Sequence, residues 1–124
     1  MIKKNSQNSM FEMCPVRNVI ARFGNKWGFL VLLTIHEHGT IRFNELARAI
    51  PDLSTRVLSS TLRTLEADDL VLRRVYPEIP PRVEYSLTPI GEELVPIIGE
   101  LTEWASRNLP TIMKHRKKFE KQNG

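Results

Sequence analysis

The sequence predicts a mainly α fold that carries one small β-hairpin, and three observations lead there. Apolar residues recur at helical spacing in five segments of the 124 residues. The period shortens to two only between Leu70 and Thr88. A short helical segment is parted from the next by the tight turn at Pro51-Asp52-Leu53. The length suits one domain.

Residues 1–13 are polar and aperiodic apart from Met10, Phe11 and Met13, and read as a flexible N-terminal arm. Pro15 suits a helix start. Val16, Val19, Ile20 and Phe23 give that helix one apolar stripe, and Gly24-Asn25 stops it. The next helix runs from Lys26 to His38. Trp27, Leu30, Val31, Thr34 and Ile35 line one side of it, and Phe29, Leu32 and Leu33 the other. A helix apolar nearly all round belongs at the centre of a core. Gly39 ends it. Phe43, Leu46, Ala47 and Ile50 repeat the pattern briefly, and Pro51 closes it.

Ser54 is a good N-cap, its hydroxyl placed to accept an orphan backbone N–H. In the helix it opens, Val57, Leu58, Thr61, Leu62 and Leu65 face inward. Thr55, Arg56, Ser59, Ser60, Arg63 and Thr64 face outward. Leu70–Tyr76 and Arg82–Thr88 read as two strands around the stiff connection Pro77-Glu78-Ile79-Pro80-Pro81, a hairpin with a protruding loop. Thr88-Pro89 caps a long helix marked by Ile90, Leu94, Ile97, Ile98, Leu101, Trp104, Ala105 and Leu109. Pro96 should kink this helix and Pro110 should break it, with only Ile112 and Phe119 to support a frayed helical continuation of the tail. The expected organisation is an arm over 1–13, a domain over 14–110 and a basic C-terminal tail over 111–124.

Charge placement matters more than its total. The net charge of +4 comes wholly from residues 114–124, where Lys114, Arg116, Lys117, Lys118 and Lys121 face one acid, Glu120; residues 1–113 are balanced. A basic balance here reports a tail. The longest apolar stretch, Trp27 to Leu33, is far short of the ~20 residues that span a bilayer. No apolar signal segment follows Met1, and the single cysteine, Cys14, makes no intrachain disulfide. The expectation is a cytoplasmic protein without membrane partners.

The order of helix, short helix, tight turn, helix and hairpin is that of a winged helix-turn-helix. Residues 54–64 contain Arg56, Arg63, six Ser or Thr and no acid, whereas Glu66, Asp68 and Asp69 cluster past the far end. Such a face offers donors to base edges and cations to phosphates. Segments 16–23 and 90–109 lie outside the minimal winged unit, and the long helix is too broadly apolar for one short partner. A second copy of the chain covers it most economically, so the N- and C-terminal helices are expected to form a dimer interface.

Cys14-Pro15-Val16, Gly24-Asn25-Lys26-Trp27, Arg42-Phe43-Asn44-Glu45-Leu46, Leu62-Arg63-Thr64-Leu65-Glu66 and Pro80-Pro81-Arg82-Val83-Glu84-Tyr85-Ser86-Leu87-Thr88 resemble the HxlR-type transcriptional regulators of the MarR-like winged-helix group. The likeness runs in register from about Cys14 to Leu109. It departs at Asn25 and Asp69, where the family pattern has Gly; both are expected to be left-handed helix ends. The resemblance implies a homodimeric bacterial regulator that represses or activates nearby genes. Several members sense oxidants or electrophiles through a cysteine at that position, which makes Cys14 a candidate redox sensor; the alternative is an inert thiol that fills the dimer interface.

The partner so expected is double-stranded DNA, with the helix over 54–66 in the major groove and the wing over 77–82 on the backbone or minor groove. Asn44, Thr55, Arg56, Ser59, Ser60, Arg63, Arg74 and Arg82 are the candidate contacts. Arg73 and Arg74 point to opposite strand faces, so only one of them is expected to face DNA. The rival reading is a winged-helix protein-interaction module that leaves DNA alone. His36 and His38 lie about 200° apart on a helix and cannot share an ion, and no metal or other cofactor is expected. No nucleophile motif, phosphate loop or paired-carboxylate pattern points to an enzyme. Trp27 and Trp104 read as core anchors rather than a ligand pocket; an effector of unidentified chemistry is compatible with this reading.

Overall fold

Helix α1 occupies residues 16–23 of the computed structural model, which describes residues 16–123. Two compact units, Met1–Glu92 and Glu93–Gly124, divide the chain. Asn25 is not the left-handed end of α1. Its backbone is extended (φ −135°, ψ 172°), and its side-chain oxygen accepts from the backbone N–H groups of Trp27 and Gly28 at 3.1 and 2.9 Å. The residue therefore starts α2 (Lys26–His38), because an Asn side chain satisfies orphan donors that Gly would leave free. A Cβ at Gly28 would meet the Phe23 carbonyl, so the close passage of α1 beside α2 needs glycine there.

Val31, Leu32 and Ile35 of α2 are fully buried, and α3, α4, β1 and β3 all pack against this helix. Its apolar cover is incomplete at Leu30, which stays 40% exposed. Gly39 ends α2 at φ 78°, donating its N–H to the Ile35 carbonyl at 2.8 Å.

A third strand, β1 (Thr40–Arg42), precedes α3 (Phe43–Ala49). The sequence pattern did not announce it, since three residues are too few to display a period of two. Helix α4 (Thr55–Ala67) follows a turn held by buried Ile50 and Leu53, with Ser54 accepting from the Val57 N–H at 3.1 Å. Leu58, Leu62 and Leu65 are its buried stripe. Val57, expected inside, is 38% exposed: it sits about 110° around the helix from the centre of that stripe.

Strands β2 (Val71–Tyr76) and β3 (Arg82–Leu87) form the hairpin, and β3 also pairs antiparallel with β1, giving the order β1-β3-β2. Ile41, Val71 and Tyr85 bury one face of the sheet. Helix α4 ends in a Schellman motif, with Leu70 N–H bonded to the Leu65 carbonyl at 2.9 Å and Asp69 N–H to that of Glu66 at 3.1 Å. Asp69 holds the left-handed position at φ 62°, as expected. The Thr88 hydroxyl donates to the Asp69 carbonyl at 2.6 Å and accepts from Gly91 N–H at 3.1 Å, so the end of α4 and the start of α5 (Pro89–Asn123) share one side chain.

Helix α5 contains Pro96 and Pro110. Pro110 does not break it, contrary to expectation. The run Ile112 to Gln122 is rich in Lys, Arg, Met, Glu and Gln, good helix formers that carry the helix beyond the lost hydrogen bond. Trp104 is no core anchor either: it is 51% exposed on this chain.

The strain at Asp69 generates a stability test. Asp69→Gly should stabilise the fold by roughly 0.5–1 kcal/mol, and Asp69→Val should destabilise it by roughly 1–2 kcal/mol. Urea unfolding of the three chains decides; a Val variant as stable as the parent contradicts the left-handed assignment.

Candidate nucleic-acid interface

The outward side of α4 is set by its inward side. Once Leu58, Leu62 and Leu65 are buried, Thr55, Arg56, Ser59, Ser60 and Arg63 share the remaining arc of about 140°. Thr55, Arg56, Ser60 and Arg63 are exposed and Ser59 is half-buried. Glu66 falls in that arc too, but only in the last turn; the turns before it carry no acid.

Two clefts flank this surface. Ser59, Arg63 and Glu66 of α4 line one of them together with Phe43, Arg73 and Tyr85. The other runs between Asn44, near the start of α3, and the wing residues Glu78, Ile79, Pro80, Pro81 and Arg82. The structure thus brings Ser59 and Arg63 together with Arg73, and Asn44 together with Arg82. Arg74 joins neither cleft.

Register explains the difference between the neighbouring arginines. Arg73 stands opposite Tyr85, on the sheet face that packs toward the helices, whereas Arg74 stands opposite Glu84 on the other face. This signal was available in the sequence. A connection over 77–81 that pairs Tyr76 with Arg82 also pairs Arg73 with Tyr85, the buried member of β3.

Arg82 is committed within its own wing. Its guanidinium stacks over the Tyr76 ring at 3.9 Å, one terminal nitrogen lies 3.1 Å from Glu78, and its Nε is 3.6 Å from Glu84. That Nε is buried without a hydrogen-bond partner among the described residues. A planar guanidinium suits stacking and forked pairing at once. The side chain retains about a quarter of its exposure, so it organises the loop while still reaching its surface. At the tip, Ile79 is fully exposed (102%), an apolar residue the sequence reading passed over.

Other singled-out residues lie elsewhere. His36 Nδ1 is 2.8 Å from Glu92 Oε1, and His38 Nδ1 is 2.9 Å from the Thr34 carbonyl, so the two rings serve separate contacts. Among the described residues no cluster of three His, Cys, Asp or Glu side chains could hold a metal ion, and no helix is long and apolar enough to cross a membrane. Cys14 lies outside the described residues.

Comparison with known proteins agrees with this architecture. Residues 22–113 match the model of the HxlR-like helix-turn-helix family. The HTH-type transcriptional regulator YtfH of Escherichia coli (strain K12) is 40% identical over 109 residues, spanning 88% of this chain and 86% of its own length. Among solved structures, ytfH from Salmonella typhimurium is similar with a TM-score of 0.74 at 39% identity, covering 86% of this chain and 94% of that one. The redox regulator HypR in its reduced form is similar with a TM-score of 0.72 at 39% identity, covering 81% and 98%. With a winged helix-turn-helix and relatives of this likeness, the chain belongs to the HxlR-like helix-turn-helix family of transcriptional regulators.

Proposed function

We propose that the protein regulates transcription as a homodimer that binds specific double-stranded DNA, with α4 in the major groove and the wing on the backbone or minor groove. The observation that carries this reading is the arc of Thr55, Arg56, Ser59, Ser60 and Arg63, free of acid until Glu66 in the last turn, on a helix presented beside a wing. Guanidinium groups suit guanine edges and phosphates, and hydroxyls suit bases and backbone. Asn44 adds a polar contact from the supporting helix, and Arg73 a cation from the cleft it shares with Ser59 and Arg63. Arg82 presents the wing loop, and Arg74 supplies charge on the sheet face that Arg82 shares.

Dimerisation is supported by apolar side chains that one chain leaves in water. Val19 and Ile20 of α1, and Ile97, Leu101, Trp104 and Leu109 of α5, are each half exposed or more. A second copy covers such surface, and two recognition helices then meet half-sites about one DNA turn, ~10–11 bp, apart or a multiple of it.

Cys14 is the sensor in this proposal. As the only cysteine it joins a thiol of the partner copy or a small thiol when oxidised. The likeness to a redox regulator supports the assignment. The compartment that suits such chemistry is the cytoplasm, where an unpaired thiol stays reduced.

Three measurements test these parts. Arg56→Glu should weaken binding to a selected upstream site by about 100-fold or more while leaving the oligomer intact; unchanged affinity would favour the protein-interaction reading. Leu101→Glu with Trp104→Glu should turn the dimer into monomers in sedimentation velocity, and a persisting dimer removes α5 from the interface. Mild oxidant should change the operator affinity of the parent chain and not that of Cys14→Ser; equal responses, with modification confirmed by mass, end the sensor assignment. If each winged unit neutralises ~3–4 phosphates, these units contribute a slope of about −6 to log K against log salt.

A further inference from the structure

Because α5 continues past Pro110, the basic segment is a helix face rather than a loose tail. Lys114, Lys117, Lys118 and Lys121 stand at i, i+3, i+4 and i+7. They fall within an arc of about 100° and an axial rise of about 10 Å. All four are exposed, and no ion pair among the described residues reaches them. Arg22, Arg82 and Arg107, by contrast, are each matched to an acid.

The apolar seam of the same helix, through Leu101, Trp104, Ile112 and Phe119, is centred about 140° away from the lysines, with Trp104 nearest to them at about 90°. A second copy seated on that seam therefore leaves the stripe free. Glu120 lies about 110° from the centre of the stripe and about 60° from Lys117, at the edge of the hollow that the four lysines line.

We propose that this lysine stripe docks the phosphate backbone of DNA and adds sequence-independent contacts to those of α4 and the wing. The inference rests on the DNA-binding reading above. Its residue type decides the partner class. Protein interfaces favour Tyr, Trp, Met and Arg and are poor in Lys, and the stripe holds lysines with no aromatic between them. Flexible ammonium groups suit a row of phosphates, which wants charge without fixed geometry. The rest of the chain is electrically balanced, so this face is where its surplus charge resides.

The test uses the full chain, its fourfold Lys→Gln variant at 114, 117, 118 and 121, and the matching fourfold Lys→Arg variant. Circular dichroism and sedimentation check that helix and oligomer are retained. Binding to an operator duplex and to a random duplex of equal length is followed by fluorescence anisotropy across a salt series. The Gln variant should lose about tenfold or more on both duplexes at ~0.1 M salt, with the ratio between them preserved. Its log–log salt slope should be shallower by about three units or more, at about 0.9 per released phosphate contact, and the Arg variant should match the parent. Equal slopes for parent and Gln variant overturn the stripe while leaving the DNA-binding reading standing. A parent that binds neither duplex overturns that reading and the stripe with it. Loss of binding to poly-L-glutamate with DNA affinity unchanged overturns the proposal in favour of an acidic polypeptide.

Discussion

The winged unit depends on the need to cover the apolar surface of α2. Val31, Leu32 and Ile35 are fully buried, and no single neighbour covers more than part of a helix that is apolar nearly all round. Helices α3 and α4 and strands β1 and β3 each take a share of that surface. Their positions follow from one another for that reason. Helix α4 must give up Leu58, Leu62 and Leu65 to this core, and only then is the arc carrying Arg56 and Arg63 turned to solvent. The candidate interface is thus the complement of the packing, and a core substitution in α4 would disturb the exposed arc as well as weaken the fold.

Much of this was legible because helix ends have local chemistry. Ser54, Gly39 and Thr88 with Pro89 announce their boundaries by side-chain acceptors, left-handed backbone or a missing N–H, all within a few residues. What escaped depended on partners distant in sequence. Strand β1 exists because β3 pairs with it, and three residues carry no rhythm of their own. Asn25 looked like a stop because Gly precedes it, yet the same side chain serves better as an acceptor for the helix ahead. Pro110 was given the weight of a breaker, and the helix formers that follow it outweigh one missing bond. For the site, the α4 residues were readable from periodicity, whereas the separation of Arg73 from Arg74 required register.

The charge pattern sorts the acids around the candidate surface. Glu78 and Glu84 flank the Arg82 guanidinium and Asp68 faces Arg22, whereas Glu66 stands in the cleft beside Ser59 and Arg63. Arg82 stacked on Tyr76 fixes the base of a loop rich in proline, so the wing is held by a side-chain contact where ladder bonds run out. Stiffness at that point lowers the ordering cost of any contact the wing makes.

The prolines inside α5 give that helix a mechanical character of its own. Each imino nitrogen lacks the proton that would bond four residues back, so the carbonyls of Glu92 and Ser106 receive no amide from positions 96 and 110. Bending compliance concentrates at these two joints, with stiffer rods before, between and after them. The middle rod bears Leu101, Trp104 and Leu109, and the last bears the lysines. The two surfaces therefore ride on segments that meet at Pro110, where the helical ladder lacks a bond.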